Sequence, residues 1–233
     1  MMEGIRFGAF DSAREKLLLT YRDDTPPEEK VIKESLPFVQ GDYDFSRILG
    51  EAIRENRTTT YEFLIKEYDY EVRKTLEVKY ENMLLNQGVG RIYDTINPGY
   101  YFYGKCINAE VVLEEKWQQL KLIVTFDCYP YMISELKEGH DIWDEFNFEL
   151  DVAQEVKHTI NNTKEITLYN VGTPSVVPSI IASSEMTIEK GAVSVTVPPG
   201  TSKSELLRLN AGENKLKVTG NGTIEFDFFK ELI

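Results

Sequence analysis

Carboxylates that lie close together in the chain are the first candidates for chemistry, because glycoside hydrolysis uses two carboxyl groups on either side of a cleft. They occur at Glu28 and Glu29, at Glu114 and Glu115, and at Asp141, Asp144 and Glu145. One carboxyl of a catalytic pair needs a raised pKa, which an apolar wall supplies. The Glu114 pair falls at the tip of a predicted hairpin, where water would solvate both groups, so we predict no catalytic role for it.

Nucleophiles and metal ligands are equally sparse. The histidines are His140 and His158, the cysteines are Cys106 and Cys128, and the chain has neither a CxxC pair nor a Gly-x-Ser-x-Gly motif. Gly88-Val-Gly90 follows a predicted helix instead of preceding one, so it does not form a phosphate-binding loop. The sequence therefore predicts no catalytic residue, no cofactor and no metal site, and a protein that is not an enzyme.

The aromatic run Tyr100-Tyr-Phe-Tyr103 allows two interpretations. It could be a platform on which a sugar or a base stacks. Alternatively, it is a strand with aromatic residues on both faces, one in the core and the other against another element or subunit. We favour the second interpretation because Lys105 is the only basic residue interleaved with the run.

Composition indicates a globular protein with little affinity for polyanions. The chain has 233 residues, 42% of them hydrophobic and 28% charged, with a net charge of −13. This charge disfavours nucleic-acid binding and anionic membranes. No apolar stretch approaches the length of a membrane span, and the N-terminus does not resemble a signal peptide, so we expect assembly in a cytoplasm.

Two domains are predicted, residues 1–140 and 150–233, because composition changes near residue 150. Of the 27 aromatic residues, 23 lie in residues 1–150. These residues also carry 18 Lys and Arg against 29 Asp and Glu, a net charge of −11. An acidic segment from Glu135 to Asp151, in which Lys137 is the only basic residue, marks the boundary.

The first domain is predicted to contain one helix and a long hairpin. Apolar residues at helical spacing predict a helix over 69–87, with Asp69 as its N-cap. Residues 58–66 predict a strand with one buried parity. Alternation over 107–113 and 120–126 predicts a hairpin whose paired residue numbers sum to 233, so that 107 faces 126 and 113 faces 120. This register places Cys106 opposite Asp127 and on a different face from Cys128, and we predict two free thiols.

The second domain is predicted to consist of short strands separated by Gly, Pro and Asn turns. They cover residues 156–160, 165–170, 177–182, 185–190, 192–197, 204–209, 214–218 and 222–229. Such spacing is typical of an antiparallel sandwich or jelly roll.

The ordered set of these features resembles the distal tail protein (Dit) family of long-tailed, non-contractile phages. The N-terminal resemblance rests on Ile5-Arg-Phe-Gly-Ala-Phe10, Val39-Gln-Gly-Asp-Tyr-Asp-Phe45, Tyr61-Glu-Phe63, the helix, Ile92-Tyr-Asp94, Tyr100-Tyr-Phe-Tyr-Gly104 and Val124-Thr-Phe-Asp-Cys-Tyr-Pro-Tyr131. In the second half it rests on Leu168-Tyr-Asn-Val-Gly172, Pro174 and Pro178-Ser-Ile180. The resemblance covers most of the chain.

This resemblance implies a mainly β fold, with an N-terminal β-sandwich that carries one α-helix and a projecting hairpin, followed by a C-terminal galectin-like β-sandwich. It implies a virion structural protein at the phage tail tip, a homohexameric ring that joins the tail tube protein to the tail-tip or baseplate hub protein. DNA would pass through the ring during ejection without specific binding, and the acidic first domain suits such a lumen. A receptor-binding protein is a further possible partner.

The resemblance also implies that the aromatic stretch and its hairpin contact neighbouring subunits. The candidate contact residues are Tyr100, Tyr101, Tyr103, Trp117, Tyr129 and Tyr131. The alternative function is a carbohydrate-binding module that acts in host cell-wall adsorption, with Tyr169 and Arg208 as residues to test. A cell-wall hydrolase is the third hypothesis, which the lack of an acid–base pair disfavours.

Overall fold

The structure is a computed structural model that describes residues 3–48, 50–65, 69–114, 119–140, 142 and 147–233. The chain divides into two compact units, Met1–Met132 with Ile233, and Ile133–Leu232. The described residues form 17 strands and one helix, which confirms the predicted mainly β fold. No helix in these residues is long and apolar enough to cross a membrane.

The first unit is built on one antiparallel sheet. Its elements are β1 (Ile5–Phe7), β2 (Phe10–Asp11), β3 (Leu18–Asp24), β4 (Lys33–Ser35), β5 (Asp42–Asp44), β6 (Arg57–Ile65), α1 (Tyr70–Leu85), β7 (Val89–Asp94), β8 (Tyr100–Glu114) and β9 (Gln119–Cys128). The sheet runs in the order β2-β1-β7-β8-β9-β6-β3. β4 and β5 pair only with each other among the described residues.

Strand β6 and helix α1 confirm the sequence predictions. The buried residues of β6 are those of one parity, from Arg57 to Ile65, as expected for a strand with one face in the core. Asp69 caps α1, because its Oδ1 accepts hydrogen bonds from the backbone N–H groups of Glu71 and Val72 at 2.9 and 3.0 Å. Buried Tyr80 brings the later turns of α1 onto the core.

The β8–β9 hairpin follows the predicted register only beyond residue 107. Asn108 pairs with Thr125 and Val111 with Leu122, as predicted. A β-bulge at Ile107 shifts the pairing by one residue towards the open end, so Cys106 lies opposite Phe126. The predicted pairs of 107 with 126 and of Cys106 with Asp127 are therefore wrong. The bulge turns Ile107 to solvent and places Cys106 in the same core as Cys128.

The sheet of the first unit curves until two distant strands meet. Arg22 lies on β3, the last strand in the sheet order, and Asp94 ends β7. The guanidinium of Arg22 donates from Nε and Nη2 to the two carboxylate oxygens of Asp94, both at 2.8 Å. The Asp94 side chain is only 1% exposed. This buried bidentate pair closes the sheet around an aromatic core, in which the rings of Phe7 and Phe126 lie 5.2 Å apart.

The second unit contains two long strands that pair over their whole length. Its elements run from β10 (Met132–Lys137) through β11 (Lys157–Asn170), β12 (Ser179–Ala182), β13 (Met186–Lys190), β14 (Val193–Val197), β15 (Gly200–Lys203), β16 (Gly212–Asp227) and β17 (Phe229–Leu232). One half of β16 pairs with β13 and the other half with β12, while β11 pairs along its other edge. Residues along both halves of the β11–β16 pair share one core, including Ile166, Val218, Ile160 and Phe226.

Several of the short strands predicted for this unit are continuous. The predicted strands 156–160 and 165–170 lie in β11 except for residue 156, and 214–218 and 222–229 lie largely in β16. The turn residues between them face each other across the ribbon, where the N–H of Asn162 donates to Oδ1 of Asn221 at 3.0 Å. Asn162 and Gly220 have φ values of 67° and 149°, so the pair bends here without losing its pairing. Residues 204–209, predicted as a strand, follow β15 and form only an isolated bridge through Leu209.

Candidate assembly surface

The aromatic run of β8 is divided between the two faces of the sheet. Phe102 lies in the core, whereas Tyr101 and Tyr103 lie on the opposite face. Tyr129 follows β9 and lies beside Tyr103, because its N–H donates to the Tyr103 carbonyl at 2.7 Å. Tyr131 follows on the same side of the chain, with its ring centroid 5.7 Å from that of Tyr129. Four of the six predicted contact residues thus lie together.

Strand β7 adds a tyrosine that the sequence analysis missed. Tyr93 packs on Tyr101 with ring centroids 5.9 Å apart. We call the surface formed by Tyr93, Tyr101, Tyr103, Tyr129 and Tyr131 the tyrosine face. The signal for Tyr93 was present in the chain, since it alternates with core residue Ile92 beside the aromatic run.

Basic residues from two strands also lie on the tyrosine face. The guanidinium carbon of Arg6 is 4.4 Å from the Tyr93 ring centroid, and that of Arg91 is 4.5 Å from the Tyr101 centroid. Both distances are within the range of cation–π contacts. Arg6 lies directly opposite Tyr93, and Arg91 opposite Tyr103. The sheet therefore places Arg6 against the ring of Tyr93, which lies 87 residues later in the chain.

Exposure distinguishes two kinds of residue on this face. Tyr101 and Tyr131 are each only 7% exposed. Tyr103 and Tyr129 are 46% and 40% exposed and present large amphipathic surfaces to solvent. Tyr100 begins β8 with the opposite parity to Tyr101, and Trp117 lies outside the described residues.

Gly104 brings the two exposed tyrosines close together. It pairs with Cys128, and a Cβ at its position would lie 2.3 Å from the Asp127 carbonyl oxygen. No side chain fits such a gap without moving the backbone. The close approach of β9 at this glycine sets Tyr103 and Tyr129 side by side.

A second exposed surface lies on the segment that we call the arm, residues 31–48, which contains β4 and β5. Its large apolar side chains are all exposed, namely Val31, Ile32, Leu36, Phe38, Val39, Tyr43, Phe45 and Ile48. In the strand pair Glu34 faces Tyr43, and the rings of Tyr43 and Phe45 stack with centroids 6.4 Å apart.

The groups considered for chemistry are placed unfavourably for it. Burial raises the pKa of Cys106 to about 11 and that of Cys128 to about 12, so both thiols stay protonated at neutral pH. Both are free in the structure. The Glu29 carboxylate binds Arg47 through Nε and Nη2 at 2.8 and 2.7 Å.

Five of the seven predicted carboxylate side chains lie outside the described part of the chain. The Glu114 side chain, Glu115, Asp141, Asp144 and Glu145 lie outside the described residues. Within the described residues, no group of three or more His, Cys, Asp or Glu side chains is arranged to hold a metal ion.

His158 of the second unit is buried, and among the described residues neither ring nitrogen has a partner at hydrogen-bond distance. Its Nδ1 lies 3.6 Å from the carboxylate of Glu155, which is beyond hydrogen-bond distance. Loss of hydration on burial lowers the pKa of His158, and the positive charge of Lys164 lowers it further. The residue is therefore a neutral imidazole in the core at neutral pH.

The residues named for sugar binding are both exposed on the second unit. Tyr169 lies on β11, where Gln154 bonds its backbone N–H and carbonyl at 2.8 Å each. The guanidinium of Arg208 donates to Glu205 at 3.1 Å.

Comparison with solved structures shows that the chain has a phage distal-tail-protein fold. The crystal structure of the phage SPP1 Dit protein (gp 19.1), described as a paradigm of the hub adsorption apparatus in phages that infect Gram-positive bacteria, matches with a TM-score of 0.65. The match covers 100% of both chains at 14% sequence identity. An identity this low shows the shared fold alone.

Weaker likenesses are found to chains of the phage p2 baseplate in its activated conformation. The structures with strontium and with calcium match with TM-scores of 0.37 and 0.40, at 9% and 8% identity, each covering 95% of this chain and 92% of the other. These scores add nothing to the assignment of the fold. No protein-family model matches the chain, and no curated protein does.

Proposed function

We propose that this chain is a structural protein of a phage tail tip, of the Dit type, that acts as a homohexameric ring. The ring joins the tail tube protein to the tail-tip or baseplate hub protein, with receptor-binding protein as a further partner. The observation that carries this proposal is the likeness to SPP1 Dit, because it extends over the whole of both chains and includes both units. The role described for SPP1 Dit, in a hub adsorption apparatus, is the one that we transfer.

The two units would then have separate tasks. The first unit forms the ring as a β-sandwich with α1 and a projecting hairpin, and the second is a galectin-like sandwich that holds other tail proteins. DNA passes through the ring without specific binding, which agrees with the acidic composition of the chain. The protein is non-catalytic, is assembled in the host cytoplasm and is located at the virion tail tip.

Contacts between subunits are assigned to the tyrosine face. Exposed aromatic side chains flanked by arginine are enriched at protein interfaces, because they bury much area and lose little conformational entropy. Tyr103 and Tyr129 supply the exposed rings, and Arg6 and Arg91 the guanidinium groups. The rigid β-sheet beneath them holds the surface in one arrangement.

Light scattering coupled to gel filtration tests the proposal. Six copies of the 26.8-kDa chain have a mass of about 160 kDa, the value expected for a closed ring. A single-chain mass across the accessible range of protein concentration would reject the hexamer.

A further inference from the structure

The arm carries an apolar surface that nothing in the described part of the chain covers. In a paired strand, side chains directly opposite each other share a face. Ile32, Tyr43 and Phe45 therefore lie on one face of the β4–β5 pair, together with Glu34. All four are exposed. An isolated two-stranded sheet is marginally stable in water, and a contiguous exposed apolar patch is typical of an interaction site.

The tip of the arm is a tight turn that presents an aromatic ring. The N–H of Val39 donates to the Leu36 carbonyl at 3.2 Å, which closes a turn with Pro37 and Phe38 at its centre. Phe38 follows Pro37 with a φ of 68°, the positive φ found at the third position of type II turns. Its side chain is fully exposed. The turn therefore holds an aromatic ring away from the rest of the unit.

Hydrogen bonds tie the two sides of the arm to each other at its base, which orders its apolar face. The backbone N–H of Ile32 donates to Oγ of Ser46 at 2.9 Å, and that of Phe45 donates to the Ile32 carbonyl at 2.8 Å. Arg47 clamps Glu29 at the start of the segment with two hydrogen bonds. A surface held in this way loses little entropy when it binds.

A surface complementary to the arm lies on the first unit itself. The tyrosine face exposes Tyr103 and Tyr129 and carries the positive charges of Arg6 and Arg91. The arm exposes apolar and aromatic side chains and places the negative charge of Glu34 among them. The apolar parts can bury each other while the opposite charges pair at their margin.

We propose that the arm of one copy docks on the tyrosine face of a second copy, with Phe38 as the anchoring side chain. The two surfaces are different patches of the same chain, so the contact is heterologous, and a repeated heterologous contact generates a ring when its rotation closes. The inference rests on the proposed function, since it assigns the contact that builds the ring. It adds the identity of both partner surfaces.

Cross-linking between two differently labelled copies tests the docking directly. One protein carries Phe38→Cys and the other Tyr103→Cys, and they are mixed and treated with a short bismaleimide. The native thiols do not compete because both are buried. We expect a covalent dimer from this mixture. A mixture of Phe38→Cys with Val78→Cys, an exposed position on α1, should give none.

Loss of the anchor gives a second, independent readout. Phe38→Asp should raise the concentration at which half of the oligomer dissociates by about tenfold or more, as for other interface anchors. Leu206→Asp, at an exposed apolar position of the second unit, should leave it unchanged. Far-ultraviolet circular dichroism verifies that both variants are folded.

The possible outcomes separate the two proposals. If the wild type forms a ring, the Phe38→Asp variant forms the same ring and no cross-link appears, the docking inference is overturned. The proposed ring then still stands. A wild-type protein that stays monomeric at every concentration rejects the ring and the docking together.

Discussion

The pair formed by Arg22 and Asp94 offers a quantitative test of how the first unit is held together. Substitution of Asp94→Ala removes the carboxylate that accepts two hydrogen bonds from Arg22 and one, at 3.1 Å, from the backbone N–H of Ile96. The Arg22 side chain is 15% exposed and Asp94 is 1% exposed. The remaining guanidinium would therefore be largely buried beside an empty position.

The expected loss follows from the burial of both partners. Breaking a buried ion pair by removing one partner costs about 3–5 kcal/mol. Arg22 retains a second contact, with the exposed carboxylate of Glu3 at 3.1 Å. This contact keeps the loss near the lower end of the range, at about 3 kcal/mol. For a unit of this size, the unfolding transition should fall by roughly 10 °C.

Differential scanning calorimetry of the intact protein measures this shift. Asp94→Asn, which keeps the shape of the side chain, should cost less than Asp94→Ala. The control is Glu189→Ala, which breaks an exposed 3.0-Å pair with Lys217 and should cost less than about 1 kcal/mol. Equal small shifts for Asp94→Ala and the control would refute the account of the sheet closure.

Three further predictions concern the core. Gly104→Ala should destabilise the first unit by about 1–3 kcal/mol, because its Cβ would collide with the Asp127 carbonyl; an unshifted melting temperature would disprove the close approach. Cys106 and Cys128 should react with a maleimide only on unfolding, since burial raises the pKa of both thiols, and rapid labelling of the native protein would contradict this. The free energy of unfolding should decrease as the pH falls below 6.5, the ordinary pKa of a histidine side chain. Below this pH the unfolded chain binds a proton at His158 that the buried imidazole of the folded chain excludes. Denaturant titrations from pH 8 to pH 5 should show this loss in the wild type and a smaller one in His158→Leu; equal slopes would exclude His158 as the cause.

Local patterns were sufficient for the elements that depend on local physics. Asp69 caps its helix because a carboxylate just before the first helical turn can accept hydrogen bonds from the backbone N–H groups of that turn. The parity of residues 59–65 predicts a half-buried strand because alternate side chains point to opposite faces. The hairpin register from residue 108 onward follows from the same rule.

Features that depend on residues far apart in the chain could not be predicted from local sequence patterns. The bulge at Ile107 has no glycine or turn motif of its own, so the position of Cys106 was predicted wrongly. Gly220 is an ordinary turn residue in the sequence, yet it faces Asn162 in paired strands, and both strands bend there. Hydrophobic periodicity does not reveal which other strand such a segment will pair with.

The candidate surface was predicted in part for the same reason. Tyr101 and Tyr103 could be recognised from the run itself, and the structure places both on one face. Arg6 and Arg91 reach this face only through strand pairing, so the aromatic run looked nearly free of cations in the sequence. The arm could not be recognised from the sequence, because single residues in it gave no sign that its apolar side chains would all remain exposed.

Negative-stain electron microscopy of the purified protein tests the central claim most directly. Class averages should show a closed ring with six-fold symmetry and a central opening, as expected for six copies joined by one repeated heterologous contact. Isolated particles of single-chain size at all concentrations, or a closed two-fold dimer without an opening, would contradict the proposed role of this chain as a ring in the phage tail tip.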